Sequence, residues 1–179
     1  MLNSLILLAR LRQEIGEFVK ADEALNEVHS ILEGDSLKDQ YPEARFYFWA
    51  KYYHVQSKNF AREQYLQKAS ELFKKGLAFL ASETKFDRVR IKFTCKLYEG
   101  LGHLLCEPLL FDRAEDLLDK AEELYDEHED LFDTLDRTKF LIKKSSFLKK
   151  YGFFSDAIDL LEAMQRDLVD ELKKSLPVK

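Results

Sequence analysis

A single spacing of residues recurs near both ends of the chain and limits what the chain can fold into. Gly16 is followed by Phe18, Ala21 and Leu25, and Gly152 is followed in the same steps by Phe154, Ala157 and Leu161. Each glycine also closes a stretch with helical apolar spacing, LARLRQEI in one case and SSFLKKY in the other. A glycine between two such stretches is the signature of one helix ending and another beginning. Small residues at set places let the two helices approach closely, and large apolar residues fill the gap to the next pair. One such pair cannot bury its apolar face alone, so the pattern demands stacking.

Apolar periodicity predicts helix almost throughout. The expected helices run from about Asn3 to Ile15, Phe18 to Leu32, Pro42 to Ser57, Asn59 or Phe60 to Ala81, and Lys85 to Cys106. Three more run from about Asp112 to Glu127, Asp130 to Lys150 and Ser155 to Lys174. Pro42 suits a first helical turn, and Asp112 suits an N-cap. Glu33-Gly34-Asp35 and Glu107-Pro108 are read as stops. Grouped as 3–33, 42–81, 85–128 and 130–174, these make one all-α domain over 1–179, an α-α superhelix in the form of a right-handed solenoid of about four antiparallel helix pairs.

Composition agrees. The chain has 179 residues, 46% hydrophobic and 34% charged, with six Gly and three Pro, few breakers for long helices. Its 13% aromatic content is too high for disorder. A net charge of −5 and a pI near 5.5 speak against general nucleic-acid binding. The opening MLNSLILLARLR is expected to be neither a signal peptide nor a membrane span. Cys95 and Cys106, on one expected helix, would lie roughly 16 Å apart, too far for a disulfide between them. Free thiols suit a reducing, cytoplasmic setting. His103 is near enough in sequence to serve a Cys106 thiolate, but no third orienting group accompanies it.

The two end segments have partners inside the chain. LYEGLGHLLCEPLLFDRAEDLLDKAEELY supplies Tyr98, Leu101, Gly102, Leu105, Phe111, Ala114, Leu118 and Ala121, and a degenerate copy supplies Trp49-Ala50, Tyr53, Leu66 and Ala69. On these residues the chain resembles the tetratricopeptide repeat family, as a long-period variant. Phe18, Phe60, Phe111 and Phe154 are spaced 42, 51 and 43 residues apart, against the family's usual 34, and the proline that ends a standard repeat is missing. The longer helices look like the arrays of kinesin light chains, bacterial peptide-sensing regulators and proteasome-lid subunits. The resemblance implies a non-enzymatic scaffold that binds a partner protein or peptide. The alternatives are the ligand-sensing part of a peptide-responsive regulator and a helical arm of a multi-subunit complex. The family's carboxylate clamp uses Asn at groove positions that here hold residues such as Arg10 and Lys51, so that specificity is not carried over.

No phosphate loop or nucleophile elbow occurs. The four histidines, His29, His54, His103 and His128, fall in different helices without metal-ligand spacing. No catalytic residue, cofactor or metal is therefore expected. Charge is more informative. Asp112 to Asp136 holds twelve acidic residues against Arg113 and Lys120. Arg137 to Lys150 holds six basic residues and no acid, and Lys85 to Lys96 holds five basic residues against Asp87. First helices line the inner face of such an array, which places Arg10, Lys51, His54, Lys92, Lys96, His103, Lys139, Ser146 and Lys149 in a positive groove. Focused positive potential draws an acidic partner. Alternatively, the basic stretch pairs with its acidic neighbour. Finally, Ala157, Leu161, Met164, Leu168 and Leu172, with Leu160 and Val169 beside them, form an apolar stripe on the last helix. It is expected either to pack on the preceding helix or to meet a missing neighbour through self-association or a further repeat.

Overall fold

The computed structural model describes residues 1–34, 41–105 and 110–175. Among them are eight α-helices and no strand: α1 Leu2–Glu14, α2 Phe18–Glu33, α3 Pro42–Arg62, α4 Leu66–Ala81, α5 Asp87–Leu104, α6 Phe111–Glu127, α7 Thr134–Lys150 and α8 Phe154–Ser175. Each odd-numbered helix packs on the even-numbered helix that follows it, α2 packs on α3 and α4 on α5, and the first helices α1, α3 and α5 lie side by side. The fold is an all-α solenoid of four helix pairs.

Three of the four turns within pairs share one geometry. Gly16, Gln64 and Gly152 have φ of 80°, 68° and 87°. The amide of the next residue reaches back five residues in each: Glu17 to Arg12 at 2.9 Å, Tyr65 to Phe60 at 2.9 Å and Phe153 to Leu148 at 3.1 Å. A second bond from the left-handed residue itself completes a Schellman closure each time. Gln64 corrects one expectation. Without a glycine to mark the turn, the apolar pattern puts a break at Ser57–Asn59; α3 runs on to Arg62, and α4 begins at Leu66. Phe60 is thus inside a first helix. The second helices begin at Phe18, Leu66, Phe111 and Phe154, which are 48, 45 and 43 residues apart.

This register aligns the packing. The residue three positions into each second helix is Ala21, Ala69, Ala114 or Ala157, all buried. Seven residues before the turn stand Ala9, Ser57 and Ser145, also buried, so Ser57 rather than Ala50 is the small residue of the second pair. Gly102 plays that part in α5, where an added Cβ would meet Leu118 Cγ at 3.0 Å and the Ala114 carbonyl at 3.1 Å. Leu25, Phe73 and Leu118 fill the spaces beside the alanines and are buried almost completely.

Other helix ends differ from expectation. Asp112 is not an N-cap: α6 starts at Phe111, and Asp112 lies in its first turn, where its charge suits the helix dipole. The eighth-helix neighbour α7 starts at Thr134 rather than Asp130, because Asp133 accepts the Asp136 amide at 2.6 Å and caps it. Asp130 belongs to a short 3₁₀ turn, Glu129–Leu131. Asp35, Cys106 and Glu107-Pro108 lie outside the described residues. Cys95 is buried, its Sγ donates to the Ala121 carbonyl at 3.5 Å, and burial pushes its thiol up to about 12. It is a core residue rather than a nucleophile.

Two measurements check the turn and the packing. Gln64→Gly removes left-handed strain at a modest cost in chain entropy, giving a gain of roughly 0.5–1 kcal/mol, whereas Gly152→Ala loses about 1 kcal/mol. Gly100→Ala places a Cβ 2.6 Å from Phe73 Cζ. The overpacking, about 1–3 kcal/mol, outweighs the better helix propensity of Ala. Urea unfolding followed by circular dichroism should rank these chains Gln64→Gly, wild type, Gly152→Ala and Gly100→Ala, the last two in either order.

Candidate functional site

The first helices bring their polar residues to one face. Arg10 comes from α1, His54, Lys58 and Arg62 from α3, Lys96, Glu99 and His103 from α5, and Lys143 from α7. A groove of about 580 Å³ opens among Lys58, Arg62, Glu99, His103 and Lys143, with Phe73, Leu66 and Leu104 as an apolar floor. It spans three of the four pairs and exists only because the pairs stack.

Its electrostatics follow first from burial and then from crowding of like charges. Lys58 is pushed down to about 8, first by burial and then by the Lys143, Arg62 and Arg10 cations, with Glu99 opposing. His54 is held well below the usual histidine range by burial and by Lys58, Lys96, Lys143 and Arg10. His103 is also lowered, mainly by burial, and its Nε2 has no hydrogen-bond partner among the described residues. Both rings are neutral at pH 7. Glu99 is the acid at the centre: it is buried and accepts from Lys143. Arg62 reaches out to Glu14 of α1 at 2.9 Å. Lys58 makes no ion pair among the described residues.

The expected groove residues divide. His103 lines the groove, whereas Arg10, His54 and Lys96 are not part of its lining and stand within electrostatic reach of one another and of the groove lysines. Lys92 and Lys96 flank Asp136 of α7 at 3.7 and 3.9 Å, so part of their charge is spent inside the fold. Lys51 leaves the groove to donate to Asn3 Oδ1 at 2.7 Å, and it sits 5.3 Å from the Tyr47 ring centre. Lys139 is exposed one turn before Lys143. Ser146 donates to the Ile142 carbonyl at 2.9 Å. Lys149, in the last turn of α7, is six residues past Lys143 and so on another side of the helix. Lys58, Arg62, Glu99 and Lys143 were missed. Each stands four residues from another groove residue or an expected one: Lys58 from His54, Arg62 from Lys58, His103 from Glu99 and Lys143 from Lys139. The i, i+4 neighbour rule would have found them.

The competing expectation holds for another part of α7. Lys144 donates to Asp119 at 2.7 Å and to Glu122, while Arg137 pairs with Asp126 at 2.7 Å and Glu129 at 3.2 Å. The acidic α6 therefore neutralises one side of α7, and the adjacent side, with Lys143, turns to the groove. A second depression of about 530 Å³, between the start of α7 and the end of α8, is lined by Glu129, Asp133, Asp167, Asp170 and Glu171 and has the opposite sign. Among the described residues, no three His, Cys, Asp or Glu side chains gather as metal ligands, and no helix is long and apolar enough to cross a membrane. No family model, no curated protein and no solved structure matches the chain.

The Lys58 environment makes a prediction about stability. Its folded pKa lies below the usual lysine value, so between pH 8 and about 10 the unfolded chain binds more protons at this site. That destabilisation is fully present below pH 8 and fades as pH rises. Lys58→Met removes it. Denaturation at a series of pH values should find the variant more stable than wild type at pH 7, with the difference shrinking toward pH 10.

Proposed function

We propose that the chain is a non-enzymatic scaffold, a long-period tetratricopeptide-like array that takes an acidic segment of a partner protein into the groove of its first helices. The observation that carries this reading is Lys58: a crowded ammonium at the wall of an open groove, facing three further cations and one acid already held by Lys143. An incoming carboxylate relieves that repulsion and replaces the water Lys58 has lost, so binding energy is gained where the free molecule is strained electrostatically. The apolar floor of Phe73, Leu66 and Leu104 gives a neighbouring side chain a place to bury. Neutral His54 and His103 add polar atoms without adding charge. A cytoplasmic location accompanies this reading, since the buried Cys95 thiol needs no oxidising compartment.

A fluorescent peptide rich in Glu, with a free carboxyl end, tests it. Polarisation should rise on titration with the protein at low salt and fall steeply as salt is added. Lys58→Glu and Arg10→Glu, made together, should weaken binding at least tenfold, while Lys149→Glu should change it less than twofold. Equal affinity in all three proteins would move the contact off the groove.

A further inference from the structure

Lys58 differs from the lysines near it in what holds its proton. Lys92 and Lys96 flank Asp136, and Lys143 donates to Glu99. Lys139 is exposed, so water solvates its ammonium. Lys58 is half-buried at the wall of the 580 Å³ groove, beside the apolar floor of Phe73, Leu66 and Leu104. Among the described residues its side chain has no ion pair and no hydrogen bond. Three cations from different elements act on it: Arg10 of α1, Arg62 one turn further along α3, and Lys143 of α7. Glu99 of α5, the acid that faces it, already accepts from Lys143. The remaining titratable neighbours, His54 of α3 and His103 of α5, are neutral.

A lysine is a nucleophile only as the free amine, and burial among like charges is the setting that releases it. With its usual value of 10.5 brought down to about 8, Lys58 is about one-tenth free amine at pH 7, against roughly one part in three thousand for an unperturbed lysine. The same surroundings favour one product over others. Acylation would leave a neutral amide, which gains nothing from Arg10, Arg62 and Lys143. Carbon dioxide leaves an anion. The nitrogen lone pair bonds to the carbon, one C=O pair moves onto oxygen, and a proton on nitrogen passes to water, giving R–NH–COO−. No oxidant or reductant is needed. Carbon dioxide is small and uncharged, so the cations do not hinder its entry. The carboxylate it forms is then tied among cations that had no free acid to meet, and charge-assisted hydrogen bonds to guanidinium groups are the strong kind.

We propose that Lys58 is a carbon dioxide site: at the wall of the groove its amine takes up the gas reversibly as a carbamate, which the Arg10, Arg62 and Lys143 cations stabilise. Counted from the ammonium form, two protons leave and the side chain passes from cation to anion. Three cations then surround an anion instead of a fourth cation, and the repulsion built into the stack is relieved from within. This step does not rest on the acidic-segment reading. Where both hold, they compete for the same cations, and the carbamate form binds an acidic segment more weakly.

Carbon NMR of the full chain near pH 8 under isotopically labelled carbon dioxide tests this, with circular dichroism confirming that each variant stays helical. Wild type should show a carbamate carbonyl line. Ethylation with triethyloxonium, which fixes a carbamate as its ethyl ester, should place it on Lys58 by peptide mass analysis. Lys58→Met should lose that line and keep only the background from the α-amino group. Arg10→Gln and Arg62→Gln, made together, leave Lys58 in place and should lower its occupancy by about threefold or more, since both the free amine and the anion lose support. A wild-type spectrum identical to that of Lys58→Met overturns the proposal. So does undiminished occupancy in the double variant, or an ester found on exposed Lys139 as often as on Lys58. No peptide enters this readout, so the carbamate and the acidic-segment reading fail separately.

Discussion

The close approach of two helices at a small buried side chain governs the architecture. Ala21, Ala69, Ala114 and Ala157 sit one turn into each second helix, Ala9, Ser57, Gly102 and Ser145 are small residues of the first, and an added Cβ on Gly102 would meet the Ala114 carbonyl at 3.1 Å. A larger residue at either place would push the helices apart and uncover Leu25, Phe73 or Leu118, which are buried only because the gap is narrow. The left-handed residue at the turn serves the same contact: it brings the second helix back at an angle that lets the alanine meet its partner. Interlayer packing is equally tight, since a Cβ on Gly76 would meet Leu97 Cδ1 at 2.8 Å and Tyr53 Cβ at 2.9 Å.

Stacking at that spacing creates the groove as a by-product. First helices laid side by side bring their solvent-facing residues within electrostatic reach, and here those residues are mostly cationic. The fold meets this in three ways. Glu99 is buried among them and takes Lys143, Asp136 stands between Lys92 and Lys96, and Arg62 is drawn away to Glu14. Lys58 is left with depressed basicity, and the two histidines respond by remaining neutral. A protein with net charge −5 can therefore present a positive surface, because its acids are concentrated on α6 and α8.

Particular residues show why some of this was legible and some was not. Gly16 and Gly152 announce their turns, since an unstrained positive φ is a property of glycine itself. Gln64 adopts the same conformation under the pull of the helices on either side, and nothing local in KNFAREQYL reveals it. One hidden turn displaced the second pair: it moved the break to Ser57, made Phe60 a helix start and let Ala50 stand in for Ser57. The positive character of the first-helix face was visible from the charge runs, but its membership was not. Lys51 and Lys92 carry the same side chain as Lys58 and Lys143; what sets them apart is that Asn3 and Asp136 stand within reach.

What the sequence determined alone is what depends on neighbours a few residues away: helices from the apolar period, two turns from their glycines, the pairing of α1 with α2 and α7 with α8 from repeated spacing, and an acidic α6 beside a basic α7. Tertiary structure decided which cations are neutralised, which remain exposed to a groove, where a turn without glycine falls, and which apolar residues of α1 and α8 stay in water. The division has one physical cause. Periodicity and turn conformation are set over short stretches of backbone, whereas charge pairing and burial are set by residues such as Glu99 and Lys143 that lie 44 positions apart and meet only when the pairs stack.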